Sequence, residues 1–146
     1  MSKIKVFLDS SVLIAGILSS SGAARVLLVM SEIGQIEVFI SEHVITESER
    51  SLARKVPHAL PEFRQSIRDA QPKILQNPTQ QEIRDHLYLI GDPEDVPILL
   101  AAMKAKVDYL ATHNRRHFID DPTVAEKAGL KISTPGDVLA WLRENL

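Results

Sequence analysis

The sequence predicts an α/β protein, a three-layer α/β/α sandwich around a mainly parallel sheet. Two observations predict it. Short apolar segments with strand character, at residues 3–9, 35–41, 107–113 and 130–134, are separated by segments with helical periodicity. The first of them, "KIKVFLD", is apolar at three consecutive positions (Val6, Phe7, Leu8) rather than at alternate ones, the pattern of a strand covered on both faces. With 146 residues and no repeat, low-complexity tract or long linker, the chain reads as one domain, 1–146, large enough to bury a core.

The elements follow in order. After the first strand, "SVLIAGIL" and "GAARVLLVMSEI" (22–33) are helical, the second placing Ala23, Val26, Leu27, Met30 and Ile33 near one face. "QIEVFIS" (35–41) alternates Ile36, Val38 and Ile40 as a second strand. Ser41 is a suitable N-cap for a helix over 42–56. Pro57 and Pro61 punctuate the chain before "PEFRQSIRDAQ", a helix that must end before Pro72. Residues 77–90 read as one helix with Ile83, Leu87 and Ile90 on a common face. "DVPILLAAMKAK" (95–106) is a strongly apolar helix; Pro97 is tolerated only in a first turn, which sets the start near Asp95. "VDYLATH" (107–113) is a buried strand and "PTVAEKAG" a helix stopped by Gly129. "LKIST" (130–134) is a last strand, and "PGDVLAWLREN" a closing helix that starts at Pro135.

Composition narrows the class. Hydrophobic and charged fractions of 45% and 25% are those of an ordinary globular protein. The chain has no cysteine, which excludes disulfides and thiolate metal sites and suits a reducing cytoplasm. A net charge of −2 gives no global attraction to nucleic acid, so any such binding must use a local basic patch. Lys3, Lys5, the run Val12–Leu18 and the small residues that follow have the look of a secretory signal. Asp9-Ser10-Ser11 interrupts that run, so the expectation is a cytoplasmic protein.

Asp9 raises the functional question, because it ends an apolar strand and precedes an apolar helix. A buried carboxylate is costly unless it is bonded, paired with a cation, or used. In a parallel sheet ligands bind beyond the carboxyl ends of the strands, where Asp9 and the segment Thr112-His113-Asn114 both fall. Glu47 lies on the helix after the second strand, and Asp95, with Asp92 and Glu94 nearby, opens the apolar helix. Taken singly, each has an ordinary reading: Asp9 and Asp95 as helix caps, Asp92 as a turn former before Pro93, Glu47 paired with Arg50 or Ser51, Asn114 as a loop residue. Taken together they form a set of hard oxygen donors, with no His or Cys among them, that suits Mg²⁺ or Mn²⁺. Such ions activate water in phosphodiester hydrolysis. Arg50 and Arg54 follow Glu47 at i+3 and i+7, and Arg115 and Arg116 adjoin Asn114; these are candidate phosphate contacts or solvated surface charges. His113 and His117 are an i, i+4 pair, a chelating spacing only on a helix; with a turn expected here they read as structural.

Four segments resemble the PIN-domain ribonucleases, which include the toxins of many toxin–antitoxin pairs. They are "VFLDSSVLIAGILSSSGAARVLL", "ISEHVITESER", "GDPEDVPILLAAMKAKVDYLATHNRRHF" and "ISTPGDVLAWL", in that order. The resemblance implies a Mg²⁺- or Mn²⁺-dependent endonuclease acting on single-stranded RNA and leaving a 5′-phosphate and a 3′-hydroxyl. It implies metal-ligand roles for Asp9, Glu47 and Asp95, with Asp92 close by and Ser10 and Thr112 in support. It also implies an antitoxin partner and a homodimer, for which the stripes "VLIAGIL" and "ARVLLVM" are available. The chain departs from the family at Asn114, where many members carry a fourth acid. An amide ligates without charge. Either Asp92 compensates, or the domain is weakly active or inactive and binds RNA or a protein without cleaving it.

Two other first-strand aspartate chemistries fit less well. A haloacid-dehalogenase-type phosphatase needs an acid two residues further on, where Ser11 stands, and a phosphoacceptor receiver domain needs an Asp ending a central strand, where "EVFIS" ends in Ser41.

Overall fold

A computed structural model describes residues 2–146. Its centre is a five-stranded, all-parallel sheet in the order β3-β2-β1-β4-β5: β1 Lys5–Leu8, β2 Glu37–Ser41, β3 Lys73–Leu75, β4 Tyr109–Ala111 and β5 Lys131–Ser133. Val6, Phe7 and Leu8 of the middle strand are wholly buried, as a strand roofed by helices on both faces must be. Among the described residues eight α-helices surround the sheet: α1 Ser10–Leu18, α2 Ala23–Glu32, α3 Glu42–Lys55, α4 Leu60–Ala70, α5 Gln80–Asp85, α6 Val96–Ala105, α7 Pro122–Ala128 and α8 Pro135–Asn145. The expected three-layer α/β sandwich is thus what the chain forms.

The strand order places the site. The chain winds outward from β1 through β2 to β3, then returns to β4 on the other side of β1. The order therefore reverses between β1 and β4, and a crevice opens beyond their carboxyl ends. Asp9 follows β1 and Thr112 follows β4, and the Asp9 amide still donates to the Ala111 carbonyl at 3.2 Å. Helix α1 starts at that edge and crosses α2 closely at Gly16, where a β-carbon would stand 2.8 Å from Leu28 Cδ1 and 3.1 Å from the Ala24 carbonyl oxygen.

Several expectations are corrected. Strand β3 had no counterpart in the sequence reading. It is a three-residue edge strand whose Ile74 points largely to solvent, too short to show a period. Residues 77–90 are not one helix: α5 stops at Asp85, and a tighter helical turn over Leu87–Leu89 changes the phase, so Leu89 and Ile90 enter the core while Leu87 is exposed. On α2 the buried residues are Ala24, Leu27, Leu28 and Met30, while Val26 and Ile33 are exposed. This helix packs against α1, α4 and α8, so the buried arc is wider than a single stripe and rotated from the expected one. Of "VLIAGIL", Val12, Leu13 and Ile17 lie in the core, which leaves little of that stripe for a second copy. Among the described residues no single helix is long and apolar enough to cross a membrane; α1 and α2 reach the threshold only jointly and are bent by 89°.

Candidate metal centre

Asp9 is the N-cap of α1, so its ordinary reading is correct as far as it goes. Oδ1 accepts from the Val12 amide at 3.3 Å and from Ser11 Oγ at 2.5 Å. Oδ2 accepts from Thr112 Oγ1, a bond from the end of β1 to the end of β4. A cap is ordinarily at the surface, yet Asp9 is 4% exposed. Burial raises its pKa, and the bonds from Ser11, Thr112 and the backbone only partly oppose that. The fold therefore holds a carboxylate where it works against ionisation.

Asp95 departs from its ordinary reading. It occupies the residue before α6, but its side chain caps nothing. Asp92 caps the turn over Pro93–Asp95 instead, its Oδ1 accepting from the Glu94 amide at 3.0 Å. The freed Asp95 carboxylate is 15% exposed and lies 2.9 Å, through Oδ2, from His117 Nδ1, which is also 3.7 Å from Asp92 Oδ2. Burial, then the charge of Asp92, push the pKa of Asp95 up to about 6, with Asp9 adding to the push and His117 opposing it. Among the described residues none of Asp9, Asp92 and Asp95 pairs with a lysine or arginine.

Glu47 does not pair with Arg50 or Ser51. Its Oε1 accepts from Ser10 Oγ at 2.5 Å, and its Oε2 lies 3.7 Å from His43 Nε2 one helical turn earlier. The His43 ring and then the Ser10 hydroxyl hold the Glu47 carboxyl below its usual range against the opposing effect of burial, and Glu47 in turn raises the pKa of His43. Because Ser10 is the residue after Asp9, this bond ties α3 to the same edge of the sheet.

Asn114 closes the chain of contacts. Its amide donates to Thr112 Oγ1 at 3.0 Å, and its Oδ1 accepts from the His117 amide at 3.1 Å. The segment Arg115–Ile119 is not a simple turn but one turn of π-helix, closed by the Asp120 amide on the Arg115 carbonyl at 2.7 Å. That turn carries His117 to the acids, so the expectation of a plain turn is corrected, and the His117 ring stands beside Asp95. Asp92, Asp95 and His117 each offer a ligand atom, all within 4.8 Å of one another. The signal in the sequence was a histidine three residues after Asn114; a π-turn has no recognisable spacing that would have exposed it.

The basic residues divide. Arg50 and Arg54 line a cleft of about 660 Å³ between α1 and α3, together with Ser10, Ser11, Glu47 and Lys55. Arg115 lines a separate groove beside Gly22 and Gly136, and Arg116 is exposed. The four arginines thus do not line one common groove.

Comparison with known proteins agrees with the architecture. The PIN domain description matches residues 5–116, and the chain belongs to the PIN-domain family, whose members are generally nucleases and commonly use divalent metals. PAE2754 from Pyrobaculum aerophilum shares the fold with a TM-score of 0.65 at 17% identity, over 97% of this chain and 96% of that one. VapBC2 from Rickettsia felis, solved bound to a DNA fragment from their promoter, gives 0.64 at 16% identity, over 90% and 98%. No curated protein matches the sequence.

Proposed function

We propose that the chain is a Mg²⁺-dependent endonuclease of single-stranded RNA, with Mn²⁺ able to replace Mg²⁺. One observation carries this reading. Three carboxylates, Asp9, Asp92 and Asp95, are held at the topological switch point without a lysine or arginine partner, and burial raises the pKa of two of them, that of Asp9 and that of Asp95, the latter to about 6. Clustered carboxylates, two of them largely buried and none facing a lysine or arginine, are a poor device for folding and a good one for a hard divalent cation. The residues fit the metal that the family implies, with Asp9 and Asp95 as its direct holders, Asp92 beside them and Asn114 completing the shell. A divalent ion there would offset the carboxylate charges, polarise a phosphate and lower the pKa of water.

The side chains have separate tasks in this account. Glu47, kept ionised by Ser10 and His43, orients the attacking water and takes its proton. Ser10 positions Glu47, and Thr112 positions Asp9. Arg50 and Arg54 receive backbone phosphates along the α1–α3 cleft, and Arg115 and Arg116 contact the strand beyond the site. Water attacks phosphorus in line, the P–O3′ bond breaks, and the products carry a 5′-phosphate and a 3′-hydroxyl.

A toxin role with an antitoxin partner belongs to the same proposal and is supported by the fold shared with VapBC2. Self-association is proposed through α2, where Val26, Val29 and Ile33 are exposed. A second reading, a PIN-like domain that binds RNA or a protein without cleaving, is favoured by Asn114: it brings no charge, and its Oδ1 is engaged by the His117 amide. Incubation with mixed single-stranded RNA in Mg²⁺, in Mn²⁺ and in chelator separates the two. Cleavage in metal that stops in chelator supports the enzyme; intact RNA in all three favours the second reading.

A further inference from the structure

We propose that His117 is a nitrogen ligand of the divalent ion, alongside Asp95 and Asp92, and that it makes the site prefer Mn²⁺ to Mg²⁺. This rests on the metal site of the function proposed above but not on RNA cleavage. The Nδ1 atom of His117 stands 2.9 Å from Asp95 Oδ2 and 3.7 Å from Asp92 Oδ2. Adjacent donors on one octahedral ion with bonds of about 2.1–2.2 Å lie about 3 Å apart, so His117 and Asp95 already stand at the separation of neighbouring ligands and Asp92 lies within a small side-chain rotation of it. The side chain is not there by accident of exposure. The π-turn over Arg115–Ile119 sets its backbone, which Asn114 ties down through Oδ1, accepting from the His117 backbone amide at 3.1 Å, while Asn114 Nδ2 reaches the ring at 3.4 Å from Nδ1.

The chemistry gives the selectivity. Mg²⁺ takes oxygen ligands in near-ideal octahedral geometry and gives up its waters reluctantly; Mn²⁺ also favours oxygen, but as a transition-metal ion it accepts an imidazole nitrogen at less cost than Mg²⁺ does. Replacing one oxygen donor of an otherwise acidic site by imidazole thus weakens Mg²⁺ relative to Mn²⁺. Asn114, beside its place in the shell, then also serves to hold the His117 segment, through the His117 backbone amide and the Nδ2–Nδ1 contact.

The test loads the full-length protein with Mn²⁺ and records electron spin-echo modulation, which reports nitrogen bonded to the ion. Expected are ¹⁴N modulation in the wild type, its loss in His117→Ala, and a Mn²⁺ affinity that falls about tenfold or more in that variant while Mg²⁺ affinity changes less than about threefold. Because His43 lies beside Glu47, modulation that survives in His117→Ala overturns the assignment, as does its absence from the wild type. Equal losses for both ions overturn the selectivity. The wild-type spectrum needs no variant, so a misfolded His117→Ala still leaves the proposal open to refutation. Intact RNA with nitrogen-bound Mn²⁺ defeats only the nuclease reading; cleavage with no nitrogen on the ion defeats only the ligand.

Discussion

Asp9 separates a fold requirement from a functional one, because Asn and Ala remove different things from it. In Asp9→Ala the α1 cap is lost, at about 1 kcal/mol, and the fully buried Thr112 hydroxyl loses its acceptor, at about 1–3 kcal/mol. Removing a carboxylate that resists ionisation gives some of this back, for a net destabilisation of about 2 kcal/mol. At about 2–4 °C per kcal/mol for a chain of this size, the melting temperature falls about 6 °C. In Asp9→Asn the amide oxygen still caps Val12. The amide nitrogen must donate where Asp9 only accepted, to Ser11 Oγ or Thr112 Oγ1. Each hydroxyl already accepts one backbone amide, from His113 at 3.1 Å and Asn114 at 3.0 Å, and keeps a lone pair for a second donor. The buried charge is gone, so Asp9→Asn melts within about 3 °C of wild type or above it, while metal-dependent cleavage drops to the chelator background. Circular dichroism melts at pH 7 without metal, with a gel assay on the same samples, give both numbers. If Asp9→Asn melts as early as Asp9→Ala, the charge serves the fold, and its burial no longer argues for an ion. If Asp9→Asn cleaves at the wild-type rate, Asp9 leaves the mechanism.

Three other outcomes follow. Asn114→Asp tightens Mg²⁺ by calorimetry, because a charge joins the shell; equal or weaker affinity places Asn114 outside it. The Asp95 pKa is raised from 3.8 to about 6, so in that window the folded chain binds more protons than the unfolded one. Stability of the metal-free protein from this group is therefore greatest below pH 4 and falls as pH rises through 6; Asp95→Asn flattens that slope in denaturant titrations, and an unchanged slope refutes the assignment. Light scattering finds a dimer that Val26→Glu with Ile33→Glu dissociates, and a monomeric wild type removes α2 as an interface.

The centre of the fold was more legible than its periphery, for physical reasons. Val6–Leu8 is apolar at every position because layers cover it on both faces, and the helix over 96–105 buries Val96 and the run Ile98–Ala102, leaving Lys104 as its charged, exposed position; such apolar runs stand out in any sequence. Pro97, Gly129 and Pro135 fixed helix ends through backbone geometry that no tertiary contact overrides. Strand β3 and the 87–89 turn depend on pairing and packing from distant chain, which local periodicity does not record. Around the candidate site, the placement of Asp9 at a strand end, Glu47 on α3 and Asp95 before α6 was legible in the sequence, but their partners were not. That Glu47 turns to Ser10 rather than Arg50, and that a π-turn delivers His117 to Asp95, are consequences of three-dimensional approach. The arginines were grouped by closeness in sequence, and the fold sends Arg54 and Arg115 to different grooves.

Anomalous diffraction from a crystal soaked in Mn²⁺ tests the central claim most directly. The account predicts a single strong peak, or a close pair, within bonding distance of both Asp9 and Asp95 at the edge where Glu47 meets Ser10. A site that stays empty at high Mn²⁺, or an ion bound away from Asp9, contradicts it.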